Sequence, residues 1–186
     1  MGIEKNPTPE EVAEMRRKEF YGAIKILGFK KENIFFLNAK DGTVRNNMDV
    51  VHRKIQEIYT KINPDIIYFH YPDAHPDHRA VSEIMNSILN NVKFSPRAYQ
   101  FFIWTKELSI GRPEVDEKNV PEIPEDAIKV DIKNELEIKR KALYKMRSQI
   151  LTNPYKNWQT QRMPILDKNF VDYFLSGEEI ILKLNK

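Results

Sequence analysis

With 186 residues, 41% of them hydrophobic and 11% aromatic, the chain has the size and apolar content of an ordinary globular domain, which excludes a disordered or low-complexity protein. Its 30 basic and 27 acidic residues are interspersed, so the formal charge of +3 is not gathered into an arm or stripe that would grip nucleic acid. There is no cysteine, hence no disulfide, no thiolate nucleophile and no cysteine-ligated zinc, and any metal must be held by nitrogen and oxygen.

No apolar run reaches the roughly 20 residues that span a bilayer. The opening "MGIEKNPTPEE" lacks the apolar centre of a secretory signal. The expectation is a cytoplasmic protein, one domain over residues 1–186, with no membrane span and no nucleic-acid partner.

The first predicted element is a helix through "TPEEVAEMRRKEFYGAIKILG". Thr8 is its cap, Pro9 sits at the first helical position, acids fill the first turn and Gly28 ends it. "NIFFL" reads as a short buried strand and "NAKDGTV" as a polar loop. A second helix, "RNNMDVVHRKIQEIYTKI", places Met48, Val51, Ile55, Ile58 and Ile62 on one stripe before Pro64 stops it. "DIIYFHY" is then a buried strand, and a third helix runs from Pro76 to about Leu89 with Val81, Ile84, Met85 and Ile88 inward. "RAYQFFIW" is another strand. "GRPEVDEKNVPEIPEDA", punctuated by Gly111, Pro113, Pro121 and Pro124, is an extended loop. "AIKVDI" reads as a strand, "KNELEIKRKALYKMRSQIL" as one long helix and "GEEIILKL" as a closing strand. Helices alternating with continuously apolar strands predict an α/β fold with a mostly parallel sheet covered on both faces.

Between the second of these strands and the third helix lies "DAHPDHRAV", which holds two of the chain's four histidines and two aspartates. In open parallel sheets ligands bind beyond the carboxyl ends of the strands, where this turn falls. His75 and His78 are three apart across the first turn of a helix whose Pro76 suits that position, so both rings can face one crevice. Neutral imidazole is a common metal ligand, and a carboxylate on its second nitrogen fixes tautomer and orientation. Asp73 and Asp77 are both placed to do that. His52 reads as a boundary residue of the second helix and His70 as a crevice residue at the end of its strand. A metallo-β-lactamase-like ligand run is excluded, because Asp73 occupies its upstream histidine position and no histidine follows His78.

"HPDHRAV" after a buried strand resembles the second signature of the PIG-L/LmbE superfamily of zinc-dependent N-deacetylases. "RRKEFYGAIKILGF" is similar to that family's Arg-x-x-Glu helix, with Arg16, Glu19, Ala23, Leu27 and Gly28 matching. "FFLNAKDGTV" is similar to the strand and Asp-Gly loop that follow it. "KRKALYKMRSQI" resembles the late Lys-x-x-Ala-Leu…Ser-Gln helix, although Met146 stands where a histidine or tyrosine is common. The resemblance implies a Rossmann-like three-layer sandwich and hydrolysis of an N-acetyl amide in a conjugate of the N-acetylglucosamine type. It implies His78 as a zinc ligand. His75, kept charged by Asp77, would stabilise the oxyanion or protonate the leaving amine, and Arg16 and Asp41 would contact substrate. On helical geometry Arg16 shares a stripe with Phe20, Ala23 and Leu27, and Lys139 lies among Leu136, Leu143, Met146 and Ile150, so each charge borders a core-facing surface.

The family's opening signature, Ala-His-Pro-Asp-Asp, does not occur in the chain. The expectation is therefore that a strand, a helix and a further strand are missing at the amino terminus and that the zinc site is incomplete. The alternative is a relative that keeps a sugar-binding crevice without catalysis or acts as a partner subunit. Strand edges left bare by a missing segment imply self-association into a homo-oligomer.

Overall fold

Thr8 and Glu11 start the first helix by capping each other: the Thr8 hydroxyl accepts from Glu11 N–H at 3.2 Å, and the Glu11 carboxylate accepts from Thr8 N–H at 2.9 Å. The resulting helix, α1, is Pro9–Ile26. A computed structural model describes the protein over residues 6–93, 96–109, 120–152, 155 and 164–184. The chain divides into two compact units, Met1–Phe35 with Asp131–Glu178, and Phe36–Val130 with Glu179–Lys186.

In the first unit, Gly28 at φ +81° lets the chain double back after α1, and Phe29 N–H returns to the Ile24 carbonyl. The helix buries Met15, Ala23 and Ile24, and with them the carboxylate-bearing Glu19. Further along are α5 (Leu136–Leu143), which packs on α1, α6 (Arg147–Ile150) and α7 (Lys168–Phe174). Asp167 caps α7 by accepting from Phe170 N–H at 2.9 Å, and Phe170, Val171 and Leu175 are buried.

The second unit holds a four-stranded sheet in the order β1-β2-β4-β3, with β1 Ile66–His70, β2 Arg97–Phe101, β3 Ile128–Asp131 and β4 Glu178–Lys183. β1 and β2 are parallel, from Ile66 opposite Arg97 to His70 opposite Phe101. β2 and β4 are antiparallel, with Gln100 opposite Leu182. A parallel pair needs a crossover, and α3 (Pro76–Asn90) supplies it. Its Ala80, Ile84, Met85, Ile88 and Leu89 meet Phe69, Ala98, Val51 and Val44 in one apolar cluster. Full burial of a side chain such as Ile84 or Ile88 is worth roughly 1.5–3 kcal/mol. The second helix, α2 (Met48–Ile62), adds Met48, Ile55 and Tyr59 to the cluster's edge and ends at Asn63, which takes the left-handed conformation at φ 46°. One short helix, α4 (Lys106–Ser109), follows β2.

The α/β character, the capped first helix, the span of α3 and the strands β1 to β4 match the expectations from sequence. The expectation of a mostly parallel sheet holds for β1 and β2, whereas β2 and β4 run antiparallel. Three further details differ. "NIFFL" is not in the sheet: Lys31–Asn33 is a 3₁₀ turn, Ile34 is extended, and Phe35 and Phe36 are exposed. Extended apolar backbone becomes a strand only where a ladder receives it. α2 begins with a 3₁₀ turn at Val44–Asn47, and its last stripe residue, Ile62, is exposed. The long late helix is broken over residues 144–146, where Lys145 and Met146 bond back to the Ala142 and Leu143 carbonyls. Of the long loop after β2, residues 110–119 lie outside the described residues.

Candidate active site at the turn between β1 and α3

β1 ends at His70, and within five residues the chain has turned into α3. The turn is built around Asp73, which is completely buried. Its carboxylate accepts the N–H of His75 at 2.9 Å and the N–H of Trp104 at 3.1 Å, so the segment after β2 is tied to the same group. Both its oxygens also lie 2.9 Å from Nδ1 of His78. A buried carboxylate is tolerated when hydrogen bonds and a cationic or polar partner replace water, and Asp73 has such a set. Arg79 closes the turn from the other side, donating to the Asp73 and Ala74 carbonyls at 2.8 and 2.7 Å.

The consequence for His78 is chemical. With Nδ1 facing a carboxylate, the proton of the neutral ring belongs on Nδ1, and Nε2 is left with its lone pair. His75 is arranged the opposite way. As N-cap of α3 its Nδ1 accepts Asp77 N–H at 3.2 Å, which places the neutral ring's proton on Nε2. That Nε2 lies 3.9 Å from Oδ1 of Asp41, whose side chain is 82% exposed. One imidazole therefore offers a lone pair and its neighbour an N–H, with ring centroids 4.6 Å apart.

His70 completes the group. Its ring stacks on His78 at 4.1 Å with 18° between the planes and tilts against Phe101. Burial first, and then the neighbouring His78, push its pKa down to about 4, with Asp73 pulling the other way and His75 adding a smaller push, so it is neutral at physiological pH. Because nitrogen lone pairs lie in the ring plane, nearly parallel stacked rings cannot aim theirs at one ion. His70 buttresses His78 and does not join it as a second ligand.

The Asp77 carboxylate is occupied elsewhere. It accepts the N–H of Gly42 at 2.7 Å and that of Val44 at 3.0 Å, gripping the loop that carries Asp41. The carboxylate facing the His75 ring is that of Asp41, not Asp77. Arg16 belongs to the other unit, on α1, where its Nε is buried without a hydrogen-bond partner among the described residues. Lys139, also in that unit, places its Nζ 5.6 Å from the centre of the Phe174 ring.

The sequence reading missed a second polar centre, in the first unit. Glu19, buried on α1, accepts Ser148 N–H at 2.8 Å, the Ser148 hydroxyl at 2.7 Å and the Tyr155 hydroxyl at 2.7 Å. A signal existed: Glu19 and Ser148 stand in two of the segments whose resemblance was noted, and the fold brings those two segments into contact.

The family model described as PIG-L, GlcNAc-PI de-N-acetylase, matches residues 1–89. Those residues are PIG-L/LmbE-like. No curated protein matches the chain. The PIG-L match takes in α1, the Asp-Gly loop and the whole turn from Asp73 to His78, and it points to deacetylase-type chemistry in general. PIG-L proteins are generally metal-dependent, so the donor set is to be compared with what an ion needs. His78 Nε2 fits one ligand position, oriented by a buried carboxylate. Among the described residues, no three His, Asp or Glu side chains are grouped so as to hold an ion. The PIG-L-like segment thus fits a metal through a single side chain and does not by itself enclose one. No helix among the described residues is long and apolar enough to cross a membrane.

Proposed function

We propose that the turn between β1 and α3 is the substrate side of an N-deacetylase site, acting on the acetyl amide of an N-acetylated sugar conjugate. The observation that carries this reading is the opposite bonding of two neighbouring imidazoles: His78 Nδ1 faces the Asp73 carboxylate, which in the neutral ring leaves a lone pair on Nε2, and His75 Nδ1 accepts the Asp77 N–H, which in the neutral ring leaves the proton on Nε2.

Zinc, held in part by His78 Nε2, would supply Lewis acidity toward the amide carbonyl. The remaining work falls to the protein's own groups. His75 Nε2–H, on a neutral ring whose Nδ1 accepts Asp77 N–H, is a hydrogen-bond donor for charge developing on the acetyl oxygen and not a source of a proton for the departing amine. Asp41, exposed and 3.9 Å from that nitrogen, is an acceptor for a sugar hydroxyl. Arg16, with an unbonded buried Nε, is assigned to substrate binding by resemblance. A Rossmann-like layered arrangement suits the exposed Ile66 and Tyr68, which share one face of β1 and would be covered by a further layer, and β1, at the end of the strand order, has an edge that would support self-association.

A second reading is favoured by the single fitting ligand: a relative that binds the sugar without hydrolysing it, or that serves as a partner subunit. The two separate in one experiment. The purified chain is dialysed against zinc, its metal content is measured, and acetate release from N-acetylglucosamine conjugates is followed. Stoichiometric zinc with acetate release that His78→Ala and His75→Ala each abolish supports hydrolysis. Sugar binding without zinc or acetate release supports the second reading. A chain that neither binds the sugar nor releases acetate contradicts hydrolysis and the sugar-binding form of the second reading, and leaves the partner-subunit form alone standing.

A further inference from the structure

Residues 41–44 have a local turn of their own, in which Thr43 N–H and the Thr43 hydroxyl both donate to the Lys40 carbonyl, at 3.1 and 2.7 Å. That turn does not fix where the loop sits. Its placement on α3 comes from contacts distant in sequence: Gly42 and Val44 give their N–H groups to the two oxygens of Asp77, and Arg45 pairs at 2.6 Å with Glu83, further along the same helix. Val44 is also buried in the core. The Asp77 bonds are the ones adjacent to Asp41.

Asp77 is the second residue of α3, directly after Pro76, so its backbone moves only with the helix. Charge-assisted bonds from two amides to one carboxylate are directional and stronger than neutral ones. Gly42 adopts φ +74° between those amides, a conformation that a side chain would strain. The grip therefore fixes the loop's orientation, and with it the side of the loop from which Asp41 projects.

What that orientation provides is specific. Asp41 Oδ1 and His75 Nε2 are 3.9 Å apart, too far for a direct hydrogen bond. A hydroxyl oxygen roughly 2.8 Å from each spans such a gap, accepting from the imidazole N–H and donating its own proton to the carboxylate. An ether oxygen could accept from the imidazole but would leave the carboxylate without a donor, and a methylene satisfies neither group.

We propose that Asp77 is a positioning residue for substrate recognition, a latch that holds the Asp41 carboxylate opposite His75 so that the pair selects a ligand hydroxyl. This inference rests on the sugar-binding reading above, in which the one His75 N–H holds a sugar hydroxyl and not the acetyl oxygen, and deepens it, giving Asp77 a role through the loop and not through the His75 ring.

The test uses the full chain and N-acetylglucosamine as probe, with amide exchange at Gly42 and Val44 and sugar affinity both followed by NMR. Asp77→Ala is expected to speed exchange of both amides at least about tenfold and to weaken sugar binding as much as Asp41→Ala does. Asp77→Asn, which keeps one acceptor oxygen, should restore part of both properties, and it carries the comparison if the alanine variant does not fold. Adding Asp77→Ala to Asp41→Ala should weaken binding no further, because a latch acts only through the group it holds. Unchanged exchange at Gly42 and Val44 overturns the latch. An undiminished second loss in the double variant overturns its action through Asp41. A wild-type chain that does not bind the sugar overturns the recognition role and the sugar reading together, while faster exchange in Asp77→Ala still establishes the latch as a structural element.

Discussion

Both carboxylate oxygens of Asp73 lie 2.9 Å from Nδ1 of His78, and the carboxylate is wholly buried whereas the imidazole side chain retains 17% of its exposure. The buried member holds the ring, and the partly exposed member keeps one nitrogen for chemistry. Asp73→Ala leaves the His75 and Trp104 amides and the His78 ring without their acceptor, and it should lower stability by about 3 kcal/mol in urea denaturation. Asp73→Asn should cost less and shift the neutral His78 ring away from the Nδ1–H tautomer, visible in its ¹⁵N shifts. A variant with wild-type stability and tautomer would show that this carboxylate does not organise the turn.

Glu19 plays the corresponding part in the first unit. Its side chain accepts three hydrogen bonds from Ser148 and Tyr155, one of them from the second amide of α6, where the helix N-terminus favours a negative charge. Glu19→Ala should therefore destabilise by about 3 kcal/mol and Glu19→Gln by about half as much, measured by chemical denaturation. Equal, negligible effects from both would mean that the buried carboxylate contributes nothing net.

Tyr155 reports on the same carboxylate through its ionisation. Burial, then the hydrogen bond to Glu19 and that group's charge, push its phenol up to about 12, with Arg147 pulling weakly the other way. An unfolded tyrosine ionises near 10. Between these values the folded state keeps a proton that the unfolded state has released. The contribution to stability is thus complete below about pH 10 and is lost as pH rises toward 12. The difference in alkaline phenolate absorbance between wild type and Tyr155→Phe should show one late-titrating group among the chain's eight tyrosines. Glu19→Gln should bring it down toward the ordinary value.

Ile88, fully buried where α3 meets the sheet, tests the core beneath the site. Ile88→Ala should cost roughly 2–5 kcal/mol, the transfer loss plus a cavity that close packing does not refill. Ile62→Ala, at the exposed end of the α2 stripe, should stay within about 0.5 kcal/mol. Thermal or urea unfolding of the two variants distinguishes the buried stripe from the one that periodicity alone suggests.

What the sequence determined by itself was short in range. Thr8, Glu11 and Pro9 define the start of α1 because a cap is made by residues three apart. The apolar period through Ile84, Met85 and Ile88 defines α3, and Pro76 with its flanking histidines puts His75 and His78 on its first turn. Asp73 was one of two carboxylates that spacing offered to a histidine, and the buried turn selected it. The tertiary structure alone decided the rest. Asp77 reaches Gly42 across 35 residues and Glu19 reaches Ser148 across 129, and no local pattern records either bond. The late helix breaks over residues 144–146, just ahead of the Ser148 amide that meets Glu19, against its own periodicity, and "NIFFL" stays out of the sheet although its composition suits a strand. The reason is common to all of these. Caps and periodicity are satisfied by neighbours along the chain, whereas a buried carboxylate or an extended segment takes its role from whichever distant donor or strand the folded chain brings to it.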